Sequence, residues 1–244
     1  DFKLNYALKD NSLLVKTRGK FNFSLFLDFR KIYEFCEEGR IYDIEKEYGL
    51  IIIHYKKYTT NTLQNKEFEK YLVIKHNSEV DRTGQWKEHF YEQDKLRNAT
   101  HNNLWIYQAI KFNLSSENKV VLSFNENLNT AKKEAEKNFK EFEKISREEK
   151  YYLANHFEFF NSKNKEINMA YLAASNSLDG LVCKVNKVQG IYAGLPWFFH
   201  FWTRDEAVSL GALIKQKKYH LVKYILKRLI NSMRHDGRIT NRYP

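Results

Sequence analysis

The stretch Val120-Val121-Leu122-Ser123-Phe124-Asn125-Glu126-Asn127-Leu128-Asn129-Thr130-Ala131-Lys132-Lys133-Glu134-Ala135 decides the fold, because two hydrophobic periods meet in it. Up to Phe124 the apolar residues are β-branched or aromatic and come in one short run, which is strand chemistry. Past Asn125 the chain turns to Lys and Glu. Ala131, Ala135, Phe139, Phe142 and Ile145 then recur at three- and four-residue spacings, the stripe of an amphipathic helix.

Upstream of the junction the strand pattern repeats. Phe21-Asn22-Phe23-Ser24-Leu25, Leu50-Ile51-Ile52-Ile53, Tyr71-Leu72-Val73-Ile74 and Leu104-Trp105-Ile106-Tyr107 are short apolar runs, and Asn77-Ser78 and Ser115-Ser116 are turn-formers between them. Residues 1–127 are therefore predicted to form an antiparallel β-sandwich. Residues 128–163 read as a helical linker, with a break expected near Ser146. Residues 164–244 read as further helices over 167–181, 203–216 and 218–234, with Gly237 as a stop signal.

A chain of 244 residues can bury a real core without disulfide staples. Its two cysteines, Cys36 and Cys183, lack the paired spacing of a zinc site and are expected to be free thiols. No apolar run reaches the roughly 18 residues that span a bilayer, and Asp1-Phe2-Lys3-Leu4 is not a secretory h-region, so a cytoplasmic protein is expected. The net charge of +11 raises nucleic acid, anionic membrane and acidic partners. The basic residues are nevertheless interleaved with Glu, as in Lys132-Lys133-Glu134 and Glu148-Glu149-Lys150, which is how a solvated, ion-paired surface is written. The Lys, Glu, Ile and Asn excess, with 9 Gly and 2 Pro, also fits a biased genome or a thermophile.

Function concentrates in Gly190-Ile191-Tyr192-Ala193-Gly194-Leu195-Pro196-Trp197-Phe198-Phe199-His200-Phe201-Trp202-Thr203-Arg204-Asp205-Glu206. Trp, Tyr and Phe supply six of these seventeen residues and lead into an Arg-Asp pair at a helix start. Aromatic faces stack on the C–H faces of a pyranose, while a guanidinium fork and a carboxylate grip its hydroxyls. Thr203 and Glu206 also read as a capping box with Asp205 near the positive helix end, which would leave Arg204 on the surface and the aromatics in a core. The residues alone leave both readings open.

Ala193-Gly194-Leu195-Pro196-Trp197-Phe198, Trp202-Thr203-Arg204-Asp205, Ser209-Leu210-Gly211-Ala212-Leu213 and Asp236-Gly237-Arg238-Ile239-Thr240-Asn241-Arg242-Tyr243-Pro244 resemble the start of the catalytic domain of glycogen debranching enzymes with amylo-α-1,6-glucosidase activity. The more distant glucoamylases share the Trp-x-Arg-Asp core. The match runs from Gly190 to Pro244; upstream, only the order of elements agrees. The resemblance implies a β-sandwich, a helical linker and an (α/α)6 toroid. It assigns Arg204, Asp205 and Trp202 to the subsite that holds the terminal glucose, with Trp197, Phe198, Asn241 and Arg242 at further motif positions. Thr240 stands where the family usually has Pro, and Phe199-His200-Phe201 replaces a more polar, glycine-containing run; both bear on linkage preference.

The family's reaction is inverting hydrolysis by two carboxyl groups. Asp179, Glu206 and Asp236 lie nearest the motif, yet none matches an acid or base position, so no catalytic residue is assigned, and no metal or cofactor is implied. Three helices cannot close a ring of twelve, and their apolar faces, such as Leu221, Tyr224, Ile225 and Leu229, are expected to remain uncovered. Either this chain is an N-terminal fragment or a second polypeptide, which the net charge suggests is acidic, carries the rest of the toroid; the substrate expected is glycogen, branched α-glucan or maltooligosaccharide. The alternative is a non-catalytic glucan-binding or regulatory module. A nucleic-acid surface at Lys215-Gln216-Lys217-Lys218-Tyr219-His220 reads more simply as a turn between helices with solvated lysines, and no nucleic-acid or membrane partner is expected. The eight histidines show no metal-ligand spacing.

Overall fold

In the computed structural model, which describes residues 3–29, 39–47, 49–59, 66–90, 92, 96, 103–155, 161–185, 187–195 and 198–243, the periodicity changes where the sequence says it should. The last strand before the junction ends at Asn125 and a helix begins at Leu128. Asn127 is the cap: its side-chain oxygen accepts the Thr130 N–H, satisfying a donor that the first turn leaves without a helical partner.

Among the described residues nine strands precede Leu128: β1 (Lys3–Lys9), β2 (Ser12–Arg18), β3 (Phe21–Leu27), β4 (Arg40–Glu47), β5 (Leu50–Tyr58), β6 (Lys66–His76), β7 (Glu79–Phe90), β8 (Asn103–Leu114) and β9 (Glu117–Asn125). They form a six-stranded sheet in the order β1-β2-β9-β6-β5-β4 and a three-stranded sheet in the order β3-β8-β7, antiparallel throughout. Ile51, Ile53, Tyr55, Leu72 and Ile74 from the first sheet share a core with Ile110, Phe112 and Leu114 from the second. The β-rich, sandwich-like part of the expected fold is thus present, and helices follow it.

Leu50-Ile51-Ile52-Ile53 is continuous rather than alternating because β5 is covered on both faces. Successive side chains point to opposite sides of a strand. Ile51 and Ile53 enter the shared core, while Leu50 and Ile52 meet Ala131 and Ala135 of helix α1 (Leu128–Lys140). Helix α2 (Phe142–Asn155) brings Phe142 and Ile145 against Ala7, Leu14 and Val121 on the same outer face. The break between the two helices falls at Glu141, not near Ser146. Glu141 N–H still bonds Lys137 O at 2.9 Å, and the residues just after the break are the ones that reach the sheet. Glu143 fastens α2 from its exposed side, accepting Lys119 at 2.7 Å and Lys16 at 3.0 Å.

Contacts part the chain into Asp1–Glu149 and Lys150–Pro244. The second unit holds α3 (Lys165–Leu181), the hairpin β10 (Val182–Val185) and β11 (Val188–Ile191), β12 (Phe201–Trp202), α4 (Thr203–Lys215), α5 (Tyr219–Asn231) and β13 (Arg242–Tyr243). Its core is Ile191, Leu210, Leu213, Val222, Ile225 and Leu229, with Leu178, Leu181 and Leu221 packed against it. The expectation that Leu221, Tyr224, Ile225 and Leu229 would all lie uncovered is corrected here. Ile225 and Leu229 are buried, because the β10–β11 hairpin, which periodicity did not reveal, brings Ile191 onto α5; Tyr224 stays exposed. No helix among the described residues is long and apolar enough to cross a membrane.

Two outcomes follow from the outer face of the large sheet. Ala135→Leu, at a position with no exposed surface, should cost about 1–3 kcal/mol by overpacking, read as a lower urea midpoint at unchanged m. Glu143 is held below the usual carboxylate range by its hydrogen bonds from Lys119 and then Lys16. Its contribution is therefore present above the ordinary value of 4.5 and lost as pH falls through the lowered one. Glu143→Gln should flatten that acid limb of the stability profile, by a small amount that salt reduces further.

Candidate functional site

Two short backbone pairings build the site. Phe201 and Trp202 pair antiparallel with Tyr243 and Arg242. Immediately beyond, Thr203 N–H bonds Asn241 O at 3.0 Å, and the Thr203 hydroxyl donates to Thr240 O. The segment 240–243 is thereby laid along the start of α4. Gly237, with φ of 79°, takes the left-handed conformation in the turn that returns the chain, where Gly237 N–H bonds Arg234 O at 2.9 Å. On the other side, Phe198 N–H bonds Gly194 O at 2.7 Å and closes a tight loop before β12.

These pairings bring Phe198, Trp202 and Arg242 together. The Trp202 ring lies edge-to-face with Phe198 at 6.4 Å between centroids, and the Arg242 guanidinium sits 5.9 Å from the Trp202 centroid. Asn241 is exposed, its carbonyl engaged by Thr203. Arg204 and Asp205 occupy the first turn of α4. Asp205 is partly covered, Arg204 keeps 85% of its side chain in solvent, and their closest N···O distance is 3.7 Å, a loose ion pair. Trp197 lies outside the described residues, as does Cys36. A cavity of about 480 Å³ is bounded by Gln189, Lys218, Tyr219, His220 and Tyr224.

The capping-box reading fails on geometry. Trp202, not Thr203, is the residue before the first helical turn, and it offers no side-chain cap. Glu206 points the other way, into the protein, with no exposed surface. It accepts Ile191 N–H at 3.0 Å and takes both of its strong bonds, 2.6 and 2.5 Å, from Arg228 Nη2. The Arg228 guanidinium is 5.2 Å from the Phe201 centroid and 4.7 Å from that of Tyr243, so two aromatic rings flank a charge already neutralised by the carboxylate. Gly190 admits this arrangement. A Cβ there would come within 2.7 Å of both Glu206 Oε1 and Phe201 Cγ. One buried pair therefore ties β11, β12, β13, α4 and α5 together.

Sequence reasoning missed this support, although a signal existed. Arg228 stands beside Val222, Ile225 and Leu229 on the apolar face of α5, and an Arg there needs a buried partner. The other carboxylates near the motif are engaged as well: Asp179 accepts from Lys218 and from the Tyr152 hydroxyl, and Asp236 pairs with Arg238 at 3.1 Å. Cys183 is a half-buried free thiol whose pKa is raised, chiefly by burial. Among the described residues no three His, Cys, Asp or Glu side chains group to hold a metal.

The fold and patch thus define a β-rich unit followed by a helical unit that carries an aromatic surface beside an Arg-Asp pair. No family model, curated protein or solved structure matches the chain.

The two arginines should respond oppositely. Arg228→Met, which strands Glu206 in the core, should destabilise by about 3–5 kcal/mol. Arg204→Ala should change stability by less than about 0.5 kcal/mol, since its pairing is exposed. Thermal or urea unfolding of the two variants checks both.

Proposed function

We propose that this chain is part of a glucan-debranching glucosidase and supplies part of the subsite that grips the terminal glucose. The observation that carries the reading is the grouping of Phe198, Trp202 and Arg242 at the β12–β13 pairing, with Arg204 and Asp205 following on the first turn of α4 and Asn241 bonded to Thr203. Trp202 and Phe198 offer faces at right angles for a sugar ring to stack on. Arg204 is charged, exposed and not committed to a tight partner, so its fork of donors is available to neighbouring hydroxyls; Asp205 supplies the acceptors.

In this reading α3, α4 and α5 open an (α/α)6 toroid, and hydrolysis of α-1,6 linkages, with α-1,4 as a second activity, proceeds with inversion. The general acid and base lie on the rest of the toroid, in a longer form of this chain or in a second, acidic polypeptide, because Glu206 is spent on Arg228 and Asp179 and Asp236 are paired. The protein works in the cytoplasm on glycogen, branched α-glucan or maltooligosaccharides. The exposure of Arg204 favours a second reading, a glucan-binding module without chemistry, since a sugar gripped in solvent keeps its water.

Coexpression of the chain with candidate second subunits and assay of glucose release from a branched limit dextrin separates the two. A split glucosidase is active only in the mixture and loses at least about 100-fold on Arg204→Ala or Asp205→Ala, with stability unchanged. A binding module retains maltooligosaccharide on its own, releases no glucose in any mixture and loses binding in the same variants. If those variants leave both binding and release intact, the Arg-Asp pair has no role in glucan recognition.

A further inference from the structure

Helix α5 has two apolar faces but only one is used. Val222, Ile225 and Leu229 are buried against Ile191 and Leu213. A second stripe runs along its flank at spacings of seven and four residues through Tyr219, Leu226 and Ile230. Its apolar members remain in solvent, Tyr219 by 59%, Leu226 by 42% and Ile230 by 60%, and Met233 just past the helix is exposed as well. A helix that is apolar around most of its circumference is ordinarily covered on more than one side. Single exposed leucines need no explanation; a ridge of this periodicity has the form that packs into the groove of another helix.

Charge narrows what can cover it. Residues 150–244 carry 15 Lys and Arg against 6 Asp and Glu, so nine of the eleven net positive charges lie in this second unit. Helix α5 has no acidic residue. Lys223 and Lys227 border the stripe, exposed and without a carboxylate partner among the described residues. The stripe starts at the rim of the 480 Å³ hollow that Tyr219 shares with Lys218 and His220. A second copy of the chain would set one +9 surface against another. A partner helix with its own apolar ridge flanked by Glu or Asp would bury the stripe and neutralise the lysines together.

We infer that the Tyr219–Leu226–Ile230 flank of α5 is a docking surface for an acidic amphipathic helix of a partner polypeptide. The inference rests on the proposed function for the existence of such a partner and on α5 itself for its place.

The probe is a labelled 20-residue helical peptide with Leu at three- and four-residue spacings and Glu between them, titrated by fluorescence anisotropy into the full chain. The same peptide with Lys for Glu serves as the control. The acidic peptide should bind and the basic one should not. Leu226→Ser and Ile230→Ser should each weaken binding about tenfold, and Val208→Ser, at a 78% exposed position on α4, should not. Affinity unchanged by the α5 variants, or equal binding of the basic peptide, would overturn the inference. So would two other results. Binding of phosphatidylserine vesicles, but not the peptide, that the α5 variants abolish would make the stripe a membrane surface. A dimer in sedimentation that the same variants dissolve would make it a self-interface. Maltooligosaccharide binding, measured on the same proteins, is expected to be untouched by Leu226→Ser and lost in Arg204→Ala, so failure of the docking surface and failure of the glucan reading register separately.

Discussion

Beneath the backbone pairings that hold the patch in the second unit lies one buried carboxylate. Glu206 is fully buried, and its oxygens are shared between the Ile191 N–H of β11 and the Arg228 guanidinium of α5. Arg228 in turn is flanked by Phe201 of β12 and Tyr243 of β13. Burying a charge in this way contributes little net stability, because desolvating two ions offsets most of their attraction. It contributes definition. An apolar cluster of similar volume could slide by an ångström at small cost, whereas bonds of 2.5–3.0 Å fix where the first turn of α4 begins. Arg204 and Asp205 ride on that turn and Trp202 on the strand before it. The exposed, weakly paired side chains are therefore presented from a rigid base.

The sheets were legible because their strands are long and their runs are β-branched or aromatic. Phe21–Leu25, Leu50–Ile53, Tyr71–Ile74, Leu104–Tyr107 and Val120–Phe124 all fall within strands, and Asn77-Ser78 and Ser115-Ser116 are turns. What the sequence concealed was pairing order, since β9 lies between β2 and β6 and nothing in a local period encodes a non-local neighbour. The coverage of β5 on both faces was half visible in its unbroken apolar run. The four-residue strands β10 and β11 were invisible: Val182-Cys183-Lys184-Val185 and Val188-Gln189-Gly190-Ile191 are too short to establish a period and are stabilised mainly by packing on α5.

The patch was legible in composition but not in its support. Aromatic density and the Arg-Asp pair marked the place, while Thr203 and Glu206 were deceptive because a helix start and a buried pair can be written with the same residues. Thr203 in fact donates to the Thr240 carbonyl, and Glu206 belongs to the core. Tertiary context decided the matter: a glutamate four residues before Leu210 sits on the inward face of α4, and the arginine waiting there is twenty-two residues away. A local motif reading cannot see a partner at that distance.

The close fit around Gly190 has a consequence for how this region can vary among related chains. Any side chain at 190 would meet Glu206 Oε1 and Phe201 Cγ at 2.7 Å. A lineage that replaces the glycine must therefore also shorten Glu206 or shrink Phe201, and shortening Glu206 strands Arg228. Replacement at 190 is therefore coupled to 201 and 206, and through Glu206 to 228.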